Sequence, residues 1–112
     1  MADHHDAALI VQLAQWASIM GFEEAVTTIF SDDYDPETAS AQDVPVRRVL
    51  QLGETIGTLH KHGLLDGALI HDWLWVDGLW SRVRKPALAA RERFGEPRLY
   101  ENFEALAATA PS

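Results

Sequence analysis

Between Leu69 and Phe94 an apolar residue returns every three or four positions, as Leu69, Trp73, Val76, Trp80, Val83, Ala87, Ala90 and Phe94, and the phase survives Pro86. At ~100° per residue this spacing draws one buried stripe along a helix, with Trp73 and Trp80 facing inward. A proline within a helix removes one hydrogen bond and crowds the preceding turn. A fresh helix opening at Pro86 would want a capping side chain before it, and Arg84 and Lys85 stand there instead. The pattern therefore predicts one long helix from Asp66 to Phe94, kinked near residues 82–86.

Helical spacing recurs through the rest of the chain, and no segment alternates apolar and polar residues as a strand does. A first helix is expected from Asp6, an N-cap residue type, with Leu9, Leu13, Trp16 and Met20 inward. Gly21 turns the chain into a short helix from Phe22 to Phe30. Asp43 opens the next helix, Val44 to His62, which stops at Gly63 and turns Val46, Val49, Gly53, Ile56 and His60 inward. The link at residues 63–66 is short enough to predict that the helices on either side lie antiparallel and adjacent. A last helix is expected after Pro97, on Leu99, Phe103, Leu106 and Ala110. The expected fold is all-α: a small antiparallel bundle of four to five helices with one long, proline-kinked helix, residues 1–112 forming a single domain. Gly53 and Gly57, one turn apart, are read as a notch that admits the two indoles.

Charge is distributed unevenly. The net charge is −8, yet residues 1–46 carry nine acids and no Lys or Arg, whereas residues 47–112 carry eight acids and nine bases. An acidic surface repels phosphate, so nucleic acid is not an expected partner. The one basic stretch (Arg82, Arg84, Lys85, Arg91, Arg93, Arg98) is diluted by Glu92 and Glu96 and lacks interleaved aromatics. The acidic connector from Ser31 to Pro45 is not a calcium loop, because Thr38 and Val44 occupy the glycine and glutamate positions of that motif. Without cysteine, thiolate catalysis and sulfur-ligated metals are excluded. The apolar run from Ala7 to Met20 is preceded by acids and interrupted by Gln12 and Gln15, so neither an export signal nor a transmembrane segment is expected, and the chain reads as soluble and cytoplasmic.

Two constellations are candidates for function. Trp75 lies about 120° off the buried stripe, with His71 and Arg82 within helical reach; this set suits a protein partner or a homo-oligomer contact, or packing against another helix of the bundle. His60, on an apolar stripe, is approachable by Glu54 and Asp72, which suits a small-molecule or metal pocket, or else a histidine satisfied within the core. The Glu-x-x-His units of di-metal bundles are absent, and no metal is assigned. Removal of Met1 would expose Ala2, Asp3 and His4, whose amine, amides and imidazole suit copper(II) or nickel(II). No cofactor motif is found, and no serine stands in a nucleophile setting.

From residue 53, GETIGTLHKHGLLD, then Trp80, Pro86, Arg91 and FEAL at 103–106, resembles a family of small bacterial helical proteins known as a domain of unknown function. The resemblance covers about half of the chain, and it implies no activity and no catalytic residues. The membrane helix found at the N-terminus of many members does not carry over, because the matching segment here is too short and too polar. The sequence thus points to a non-catalytic interaction or self-association module, with a binding bundle centred on His60 as the alternative.

Overall fold

The computed structural model describes residues 2–111, and among them the chain forms six helices: α1 (His4–Ile19), α2 (Phe22–Ile29), α3 (Val44–Lys61), α4 (Gly67–Trp73), α5 (Val76–Phe94) and α6 (Glu101–Ala108). The all-α class is as expected, but the bundle of four to five helices built on one long rod is corrected. The rod stops at Trp73 and restarts at Val76. Ile70 and Val83, on either side of the break, are both fully buried, although an unbroken helix would hold them ~140° apart. Leu74 is extended (φ −125°, ψ 141°), Trp75 follows at φ −79°, ψ 73°, and the chain re-enters a helix with a new rotation.

Pro86, where the discontinuity was expected, lies buried within the uninterrupted α5. Lacking an N–H, it leaves the carbonyl of Arg82, four residues back, without its helical donor. The Tyr34 hydroxyl donates to that oxygen at 2.7 Å. Partial burial raises the Tyr34 pKa above its ordinary value, with Asp43 and Asp35 adding to the rise and Arg82 opposing it. The phenol therefore stays a donor.

α3 is the central element. It packs against α2, α5 and α6 and buries Val46, Val49, Leu50, Leu52 and Ile56, each contributing ~1.5–3 kcal/mol. Gly63 (φ +72°) ends it, and the Leu64 N–H folds back to the Leu59 carbonyl at 2.9 Å. The short link that follows does not lay α4 along α3, whose flanks are already occupied; α4 is a corner, capped by Asp66 through the Leu69 N–H at 3.0 Å.

The glycine notch on α3 is real, but its occupant is not an indole. A Cβ on Gly53 would lie 2.3 Å from the Phe103 ring, and one on Gly57 would lie 2.4 Å from the Asn102 carbonyl oxygen. Both neighbours belong to the first turn of α6. Between the glycines, one Glu54 oxygen accepts the Asn102 and Phe103 N–H groups at 3.0 and 2.9 Å. A carboxylate on α3 thus caps α6 from outside, where Tyr100 at the N-cap offers no side-chain bond of its own. α6 begins at Glu101, later than Pro97 suggested, because Tyr100 adopts a left-handed turn (φ +61°). Such a conformation costs on the order of 1–3 kcal/mol for a residue other than glycine. Arg91 steadies the turn by donating to the Leu99 carbonyl at 2.7 Å and pairing with Glu104 at 2.9 Å. Trp80 packs behind Phe103, edge to face at 5.1 Å.

α1 begins at His4, with Asp3 as its cap rather than Asp6. Asp6 completes a reciprocal box: its N–H donates to Asp3 at 3.1 Å and its carboxylate accepts the Asp3 N–H at 2.9 Å. The other carboxylate oxygen accepts the Asp66 N–H at 2.8 Å, sixty residues away. The Asp3 and Asp66 N–H groups together hold the Asp6 pKa below its ordinary value. Of the apolar residues of α1 only Leu13 and Ala17 are buried, and Ile19 is 86% exposed.

Candidate interaction surface

Breaking the rod places Trp75 at the N-cap of α5, where its side chain lies back over the first turn. Gly78 makes this possible, because a Cβ there would meet the indole at 2.2 Å. The indole stacks on Phe30, the C-cap of α2, with centroids 5.7 Å apart and planes within 10°. The stack is open to solvent: Trp75 is 67% exposed and Phe30 38%. Arg82 lies beneath it, its guanidinium 5.8 Å from the Phe30 centroid and 5.1 Å from that of Tyr34. The same side chain donates to the Ile29 carbonyl at 2.7 Å, at the negative end of α2. Arg82 is thus committed inward, as a staple between α5 and the end of α2.

Trp75 and Arg82, joined on the sequence as helical neighbours, are brought together through Phe30. His71 is not part of this face; its Nε2 lies 3.1 Å from the Thr109 hydroxyl, beyond α6. Phe30, Gly78 and Tyr34 were missed. Gly78 carried a signal, since a lone glycine inside a helical pattern marks a close approach, here three residues after an exposed indole.

The other constellation does not assemble. Glu54 is engaged at the α6 N-terminus, and Asp72 is exposed on α4. His60 lines two grooves, one of about 520 Å³ with Asp3, His5, Asp6 and Asp66, the other of about 410 Å³ against α6; neither includes Glu54 or Asp72. The imidazole faces the backbone of Gly67, where a Cβ would lie 2.9 Å from Nε2. Among the described residues no group of three or more His, Asp or Glu side chains is placed to hold a metal ion. For the terminal copper motif, Met1 lies outside the described residues.

The basic stretch is largely occupied within the chain. Lys85 pairs with Glu37, Arg91 with Glu104 and Arg98 with Glu101, while Arg82 serves α2. No helix among the described residues is long and apolar enough to cross a membrane.

The model of the family described as Domain of unknown function (DUF4760) matches residues 4–110. No curated protein and no solved structure matches the chain.

Proposed function

The chain belongs to the DUF4760 family, and we propose that it acts as a non-catalytic protein-interaction module, in the cytoplasm, with residues 1–112 as one unit and the Trp75–Phe30 face as its contact surface. The observation that carries this reading is the stacked pair itself. An indole held flat, in fixed register and two-thirds exposed presents a large apolar area whose ordering cost is already met by folding. Tryptophan is among the residue types enriched at the energetic centres of protein contacts.

The partner is another protein or a second copy of this chain. Light scattering at low and high salt separates the two: a monomer under both conditions rejects self-association. Affinity capture with the wild type and Trp75→Ala in parallel tests the face; a partner kept by the wild type and lost by the variant supports it, and equal retention by both rejects it.

A second reading, a small-molecule site beside His60, is favoured by the groove of about 520 Å³ and by an imidazole with no hydrogen-bond partner among the described residues. Nuclear magnetic resonance titration with a fragment library checks it: His60 ring signals that stay unmoved throughout would reject a site there.

A further inference from the structure

Charge around the aromatic stack narrows the class of partner. Phe30 ends α2, and Asp32 and Asp33 follow within three residues, both exposed and without an ion pair among the described residues. Asp77, also exposed and unpaired in the same sense, comes two residues after Trp75. The last turn of α2 carries no basic residue, and the Arg82 guanidinium that meets its negative pole is already bonded to Ile29. Further along α5, Lys85 is paired with Glu37, while Arg84 is exposed and outside the ion pairs of the described residues. The exposed rings are thus flanked along the chain by three carboxylates without an ion pair among the described residues, and two of them, Asp32 and Asp33, lie in the part of the chain, residues 1–46, that contains no Lys or Arg.

We infer that the Trp75–Phe30 face receives a cationic amphipathic segment of another protein, one that sets an apolar or aliphatic-stemmed side chain on the indole while its Lys or Arg groups meet Asp32, Asp33 and Asp77. The proposal rests on the interaction reading above and adds the chemistry of the partner. Aromatic faces attract cations through the ring quadrupole, and long basic side chains lay their methylene stems on apolar surface while the charged ends reach outward. Carboxylates at the rim speed encounter with a basic partner and repel acidic ones.

The test titrates the full chain, followed by nuclear magnetic resonance, with three helical peptides of identical leucine spacing whose other positions are lysine, glutamine or glutamate. The lysine peptide is expected to bind most tightly, shifting the Trp75 indole N–H and the amides of residues 30–33. Asp32→Asn with Asp33→Asn should weaken it about tenfold, as two rim charges are removed, and Trp75→Ala should weaken it by at least as much. The double Asn variant alters only exposed side chains, so its fold is not at risk. Binding of the glutamine or glutamate peptide as tightly as the lysine one, at Trp75, overturns the charge assignment while leaving the interaction face standing. Binding of the lysine peptide that Trp75→Ala does not touch overturns it as well, since that is diffuse attraction to an acidic surface. Failure of all three peptides to bind removes this inference together with the surface it builds on.

Discussion

α6 and α1 are both outer helices, and they are held in opposite ways. α6 has eight residues and α1 sixteen, yet the shorter one is the better anchored. Phe103 fills the hollow over Gly53, Glu54 caps the first turn, and Arg91 braces the approach. α1 rests on two buried side chains, Leu13 and Ala17, on the partly buried Leu9, Ile10 and Trp16, and on one distant hydrogen bond from Asp66 to Asp6. Length does not decide how firmly a helix is docked; what decides it is whether the neighbouring surface is shaped for the helix and supplies the hydrogen bonds its end lacks.

The largest effect should come from closing the hollow. Gly57→Val would press side-chain carbons into the Asn102 backbone, which is unable to yield as a flexible side chain would; a loss of ~3 kcal/mol or more is expected, seen as a collapse of the urea midpoint. Glu54→Ala comes next. It leaves two N–H groups at the α6 terminus without their acceptor and should cost ~1.5–3 kcal/mol by the same measurement. If either variant unfolds no more readily than the wild type, α6 is not held as described.

Asp6→Asn sharpens the other side of the comparison. Amide exchange should quicken along the first turns of α1 while the core of α3 keeps its protection. Because the folded-state pKa of Asp6 lies below its ordinary value, the stabilisation it brings is full above the ordinary aspartate range and is lost as pH falls through the lower folded value. Acid should therefore release α1 in the wild type but change little in the variant, which exchange measured down a pH series would show. Ile19→Glu should do least: at 86% exposure a change within ~0.5 kcal/mol is expected, and a large loss in thermal stability would mean that this part of α1 is covered in solution.

Much of the fold was legible because α3 is governed by local rules. Its stop near Gly63 and its buried face follow from a glycine and a run of aliphatic residues, and it starts at Val44 as expected, although the Asp43 side chain caps nothing there and accepts the Ser40 N–H at 2.9 Å instead. The glycine pair also announced a close approach, although nothing local told Phe103 from an indole as its occupant. The break at residues 74–75 was not legible, although Ile70, which stands off the stripe, is buried all the same. Periodicity hid it, since the stripe keeps its phase across a rotation that only the third dimension requires. The same holds for Glu54, whose part depends on a backbone nearly fifty residues away. Trp75 could be assigned to a different side from Trp80, but its stacking on Phe30 depends on how the end of α2 meets α5, a contact no spacing encodes.

The bond from Tyr34 to the Arg82 carbonyl bears on how the chain can be cut. A phenol from the acidic connector takes up the carbonyl that the proline of α5 leaves free, so a synthetic peptide spanning 76–94 should show circular dichroism weaker than its length in the protein suggests. The connector is then more than a tether, and trimming it around residue 34 would be felt in the middle of a helix fifty positions downstream.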